Sequence, residues 1–408
     1  MKKIVFFIPV LILMFFTNCA DNTVSDPVEV SSERGTLVEV KQSITLTKLV
    51  IQVMLKEFDS NASAGFTPVY DVEVASIVYK TVDAKNRIVE VSGVVVYPRT
   101  EGGYFPLISL HHGTETKRSN VGSQNYIYAF DGVIAASNGY VASAPDYLGL
   151  GVSNVFHPYH HEKTSASSTI DMLRAAREYC SKKNILLNKQ LFLAGYSQGG
   201  YVTLAVQKEI EENLRNEFTV TASAPMAGAY DLYGTALILT GNSNYSTPSF
   251  LAYLALSYNE IYGWGKINEI FKSPYNTIIK ELFNGNKTTS EINAELPKEM
   301  NLLFNKEFLA GLRSGETNYF VKALNENSLL DWSPIAPITF IHGSDDTTVP
   351  YDNATSAKSS LLNRGAGYVN LYTIEGGTHS TSILPAIEYT LNWFNSYRKG
   401  SFNKIVLK

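Results

Sequence analysis

Residues 191–206 read LFLAGYSQGGYVTLAV: an apolar run, three glycines around one serine, then a second apolar run. The first run is short and continuous, as in a buried strand, and the second continues as YVTLAVQKEIEENL, which is amphipathic at helical spacing. Few chains can turn from strand to helix within three residues. Glycine permits it, because a backbone without Cβ lets strand and helix approach closely and tolerates strained dihedrals. Gly195-Tyr196-Ser197-Gln198-Gly199 therefore predicts a tight elbow with Ser197 at its tip. The G-x-S-x-G string alone is cheap, since glycine is about 7% of residues and chance supplies it roughly once in several chains of this length. Its surroundings decide its meaning.

Those surroundings alternate. YDVEVASIVYKTV (70–82) and RIVEVSGVVVYP (87–98) are β-branched and joined by the polar DAKN, which predicts an antiparallel hairpin. Beyond it, PLISLHH (106–112), YVASAP (140–145), LFLAG (191–195), VTASAPM (220–226), ITFIH (338–342) and VNLYTI (369–374) are short apolar strand candidates. Helical stretches at 165–181, 199–215, 353–363 and 383–398 fall between or after them. Continuous apolar strands alternating with helices predict an α/β fold with a mostly parallel sheet covered on both faces. TLTKLVIQVMLKEF (45–58) predicts an N-terminal helix. One interval is out of proportion: about 110 residues separate Met226 from Ile338, helical in character and rich in aromatics. This predicts a helical cap or lid at 231–330, inserted into a core of 34–230 and 331–408.

The first 18 residues stand apart. Lys2 and Lys3 precede an apolar stretch, Ile4 to Phe16, which reads as a secretory signal and is too short to span a bilayer comfortably. Cys19 follows directly, and the signal resembles that of a bacterial lipoprotein, in which the cysteine becomes the lipidated first residue. Residues 19–33 then read as a polar tether. Export with a lipid anchor in the cell envelope is the expectation, the membrane being a partner only through that anchor. Cys180 is the one other cysteine, so no disulfide framework is available. A net charge of −4 leaves no basic excess for nucleic acid, and a monomer is expected.

The elbow requires an acid and a histidine further along the chain. FIHGSDDTTVP (340–350) carries two adjacent aspartates after a strand, and IEGGTHS (374–380) places His379 in a glycine loop after the last strand. The order serine, acid, histidine is that of α/β hydrolases. Each group also sits at the C-terminal end of a predicted strand, where open α/β sheets build their sites. Ser197 is then the nucleophile, His379 its general base, and an aspartate orients the imidazole. Chemistry alone leaves Asp345 and Asp346 open. An oxyanion needs two backbone N–H donors: that of Gln198, after the nucleophile, and that of Thr114 in LHHGTET (110–116). His112, Tyr147 and Tyr196 are candidates for the pocket, and His111 reads as strand-end packing. His157, His160 and His161 lie close together, but no carboxylate stands at ligand spacing, so no metal is expected. His157 and His161 are expected to pin their loop to the helix that follows.

Taken together, HHGT, PDYLGLG, HPYHH, IDMLRAAR, GYSQGG, HGSDDTTVP and GGTHS resemble the secretory lipase family, over roughly residues 65–398. That family joins fungal lipases similar to Candida antarctica lipase A with bacterial secreted esterases, including cell-wall-degrading ones. The resemblance implies an α/β-hydrolase fold, a large lid after the sixth strand, and hydrolysis of carboxylic esters without a cofactor. Its H-G-x-x-D-x-x-V-P pattern falls on Asp346. The cap carries the resemblance least, so the ester is the weakest part of the transfer. Two other readings differ in class. A serine peptidase of the same fold would commonly carry a propeller or other peptide-binding module, for which the chain before the core is too short. A glycan-binding protein with a silent hydrolase fold would suit the aromatic cap but not an intact triad.

Overall fold

The structure, a computed structural model, describes residues 33–58, 66–241, 244–315 and 318–398. The signal, Cys19 and the tether through residue 32 lie outside the described residues.

Nine strands form one sheet: β1 (Leu37–Leu46), β2 (Val72–Val82), β3 (Ile88–Pro98), β4 (Tyr104–His111), β5 (Val141–Pro145), β6 (Leu186–Tyr196), β7 (Ala222–Met226), β8 (Ile338–Gly343) and β9 (Val369–Ile374), in the order β1-β2-β3-β5-β4-β6-β7-β8-β9. β2 pairs antiparallel with β1 on one side and with β3 on the other, β3 pairs antiparallel with β5, and every pair from β5 to β9 is parallel. The hairpin forms as expected, Val72 facing Pro98 and Val82 facing Ile88. Asp83 closes it by accepting from the N–H groups of Lys85 and Arg87, with Asn86 at φ +57°.

β1 went unforeseen, and the N-terminal helix is shorter than expected. It is α1 (Lys48–Phe58), while Thr45 and Leu46 end β1. β1 pairs only with β2 and most of its residues are exposed, so no buried face marks it in the sequence.

Successive side chains on the central strands enter two different cores. Leu191 and Leu193 face the side covered by α3 (Glu162–Lys182), α4 (Gln198–Asn213) and α13 (Asp352–Asn363). Phe192 and Ala194 face α1, α2 (Phe130–Ser137) and α14 (Ile383–Asn395). Full burial of each such large side chain contributes about 1.5–3 kcal/mol, and the two-sided pattern is why these strands read as continuous apolar runs.

Between β7 and β8 the chain forms α5 (Leu232–Gly241), α6 (Pro248–Ile261), α7 (Ile267–Ile270), α8 (Tyr275–Leu282), α9 (Thr289–Glu295), α10 (Met300–Leu303), α11 (Lys306–Arg313) and α12 (Tyr319–Glu326). Its aromatics are mainly packing. Phe271, Phe304, Phe308 and Phe320 follow one another at centroid spacings of 5.3, 5.4 and 5.1 Å. Buried hydroxyls pin this insertion to the sheet domain: Tyr258 donates to His160 O at 2.8 Å, and Tyr201 to Asn327 O at 2.8 Å. Among the described residues no helix is long and apolar enough to cross a membrane.

Candidate active site

Ser197 stands between the last residue of β6 and the first of α4, at φ +60° and ψ −119°. That conformation costs a non-glycine residue about 1–3 kcal/mol. The surroundings enforce it. Ser197 N–H donates to Met226 O at 2.9 Å, and Ser197 O accepts from Gly200 N at 2.9 Å. A Cβ on Gly199 would lie 1.8 Å from His111 O, and one on Gly195 would lie 2.4 Å from Gly199 O. Only glycine lets β4, β6 and α4 meet at this point.

His379, in the loop after β9, faces both partners. Its Nε2 is 2.9 Å from Ser197 Oγ and its Nδ1 2.6 Å from Asp346 Oδ2. Asp346 is buried, whereas Asp345 is exposed. Asp346 Oδ1 accepts from the N–H groups of Thr348 and Val349, both at 2.9 Å. A second histidine, His342 at the end of β8, brings its Nε2 to 3.2 Å from Asp346 Oδ2 and 2.9 Å from Val349 O. Burial alone would raise the Asp346 pKa. Hydrogen bonds from His342 and His379, the charge of His379 and the Val349 N–H outweigh it and hold the carboxyl at about 2. His342 had no assigned role in the sequence, although it heads the HGSDD stretch that contains the acid.

Thr114 and Gln198 both border Ser197 in the cavities described below. Among the described residues neither backbone N–H has a protein acceptor, so both can serve an oxygen held at Ser197. Gly113 brings the Thr114 loop close, for a Cβ there would lie 3.7 Å from Ser197 Cβ. Thr114 Oγ1 is engaged with Tyr159 OH at 2.8 Å.

The remaining candidates divide. His112 and Tyr196 line the cavity that holds His379, and Tyr196 OH donates to His379 O at 2.7 Å. Tyr147 does not reach either cavity that Ser197 borders. It is buried behind His112, its ring centroid 4.2 Å from that imidazole and its OH donating to His112 O. His111 packs at the strand end between Ser109 Oγ and Thr203 Oγ1. His161 caps its loop against Thr164, but His157 does something else. Its Nδ1–H donates to Leu148 O, and its Nε2 accepts from Gln198 Nε2 at 2.8 Å. Burial above all holds His157 down at about 4, so it is neutral near pH 7 and able to accept. This clamp on the residue beside Ser197 is not visible in the sequence, because the two residues come together only through folding. Cys180 is a buried thiol pushed up to about 12 by desolvation.

Ser197 borders two unlike spaces. One is a slot of about 40 Å³ lined mainly by side chains of α5 and α6. The other is a trough of about 430 Å³ that also holds His379.

A mostly parallel sheet with a strained serine elbow after β6, and with an acid and a histidine on the loops after β8 and β9, defines an α/β hydrolase. The family model for secretory lipases matches residues 128–215, which span the elbow. The rice cell wall degrading esterase LipA from Xanthomonas oryzae is 31% identical, with a TM-score of 0.78 over 88% of this chain and 95% of that one. A putative hydrolase from Legionella pneumophila is 29% identical, with a TM-score of 0.82 over 90% and 100% of the two chains. Candida antarctica lipase A in its closed state shares the fold at 15% identity, with a TM-score of 0.65 over 93% and 87%. No curated protein sequence matches. The chain belongs to the secretory lipase family, and is a hydrolase of the lipase and esterase kind.

Proposed function

We propose that this protein is a serine carboxylic-ester hydrolase working through an acyl-enzyme. The observation that carries the reading is His379 bridging Ser197 Oγ and Asp346 Oδ2 at 2.9 and 2.6 Å. In the reaction His379 Nε2 takes the Ser197 proton as Oγ attacks the ester carbonyl. The oxyanion is met by the N–H groups of Gln198 and Thr114, and Asp346 holds Nδ1–H and stabilises the imidazolium. His379 then returns the proton to the departing alcohol. Water, deprotonated by the same nitrogen, releases the acid. No step calls on a cofactor.

Ser197→Ala tests this. Hydrolysis of p-nitrophenyl acetate and butyrate should fall at least about 10³-fold with the fold intact, and a variant retaining full activity would overturn the mechanism. The signal and Cys19 support export with a lipid tether. Cys19→Ala should release the enzyme from the membrane fraction, and undiminished membrane association would remove the tether from the proposal.

A further inference from the structure

The nucleophile stands at the junction of two mainly apolar spaces that differ in size. The slot is bounded by Leu232, Ala236, Leu239, Leu251, Leu254 and Val349, all buried. At about 10–15 Å³ for one water-sized group, its roughly 40 Å³ takes three or four such groups. The trough is about ten times larger and lies between α2 and α14, lined by Ile127, Phe130, Ile383, Leu384 and Ile387. It opens at Ile127 and Tyr128, which are 53% and 42% exposed. Ile127 and Phe130 also border a groove of about 510 Å³ along α1, lined by Leu49, Val50, Val53 and Met54. Leu49 and Val53 are 71% and 51% exposed, so apolar side chains lead from the trough to the outside. Two carboxyls border this surface, Glu57 on the groove and Asp131 in the trough, and burial raises the Asp131 pKa against the hydrogen bond from Gly132 N–H and the nearby His112.

Acyl transfer gives the two spaces a direction. When the tetrahedral intermediate collapses, the bond from the carbonyl carbon to the alcohol oxygen breaks. Its electron pair goes to that oxygen, which takes the proton from His379 Nε2. The alcohol must therefore leave on the side where His379 stands, and His379 lines the trough but not the slot. The acyl group stays on the other side, next to Gln198, which lines the slot but not the trough. Resting on the serine-hydrolase reading above, we propose that the slot receives a short acyl group and the trough an extended apolar alcohol. The substrate class is the short-chain acyl ester of a long or bulky apolar alcohol. The reverse arrangement would put the long chain where only three or four small groups fit.

Isomeric esters test the direction without changing total size. Octyl acetate and ethyl octanoate carry the same atoms with the chain on opposite sides of the ester. The expected result is a kcat/KM at least about tenfold higher for octyl acetate, since a single misplaced methylene can cost that much. Ile387→Trp, which fills the trough, should cut the octyl acetate rate at least about fivefold relative to ethyl acetate. Leu251→Ala, which widens the slot, should raise the rate on ethyl octanoate relative to ethyl acetate. A ratio below tenfold or reversed between the isomers overturns the assignment, as does a response of Ile387→Trp that is equal on both acetates. Ser197→Ala separates the two levels. If it abolishes turnover of both isomers while the preference is reversed, the mechanism stands and the direction fails. If it leaves turnover intact, the mechanism itself fails.

Discussion

The serine and histidine ends of this site are held in different ways. Ser197 caps a strand flanked by β4 and β7 in the middle of the sheet, and backbone atoms enclose its turn at distances where no Cβ fits. His379 follows β9, an edge strand, in a loop whose residues 375, 376, 378 and 380 are exposed. Hydrogen bonds hold it: Asp346 on Nδ1, Tyr196 on its carbonyl, and a Thr378–Thr381 turn around it. Ser197 is thus fixed by excluded volume and His379 by polar contacts. Damage to the first should appear in the fold, and damage to the second in the chemistry.

Gly199→Ala should strain that contrast most. Its Cβ would meet His111 O at 1.8 Å and His112 O at 2.9 Å, both backbone atoms of the segment that leads to Thr114. β4 and α4 must separate, at a cost of about 3 kcal/mol or more, and the elbow and the Thr114 loop move apart together. Urea unfolding should show the loss of stability, and ester hydrolysis should vanish with it. A variant as stable as the wild type would mean that the elbow is not fixed by close packing.

Asp346→Asn belongs to the other end. The amide is nearly isosteric, but it cannot serve as the anionic acceptor for His379, so kcat should fall roughly 10³–10⁴-fold with little change in KM. The same pair of proteins reports the electrostatics. The Asp346 pKa is depressed to about 2 in the fold, against about 3.9 in an unfolded chain. A depressed carboxylate contributes stability that is fully present above the unfolded value and is lost as pH falls through the folded one. The wild type should therefore lose about 2 kcal/mol between roughly pH 4 and pH 2 that Asp346→Asn does not lose. Parallel stability curves in that window would show that His342 and His379 do not hold the carboxylate as described.

The same division governs what could be read from the sequence. The elbow is legible because its constraint is local: three glycines within six residues have few other uses, and each meets backbone at short range. Serine, aspartate and histidine are legible through their order at strand ends. The choice of Asp346 over Asp345 came from the family pattern, and its physical counterpart is burial, which neighbouring residues do not encode. β1 is not legible because it is an edge strand, paired on one side with β2, and most of its residues are exposed. Tyr147 was placed in the pocket because its loop follows a strand at the right edge. Its φ of +72° turns the chain there, and the ring lies behind His112. The slot and the trough were illegible, since their sizes depend on where α5, α6 and α14 come to rest against the sheet.

Tyr196 joins the two ends, and its substitution should have the smallest effect. The residue belongs to the elbow, yet its hydroxyl donates to His379 O at 2.7 Å, and its ring centroid lies 5.3 Å from the imidazole. Tyr196→Phe keeps the ring and removes one hydrogen bond, worth about 1 kcal/mol. If the histidine loop relies on polar contacts, that loss lets His379 sample positions away from Ser197, and kcat should fall about fivefold with stability lowered by no more than about 1 kcal/mol. If the loop were instead fixed by packing, as the elbow is, the phenylalanine variant would match the wild type in kcat. The ring alone would then hold the base, and the contrast between the two ends would weaken to one of degree.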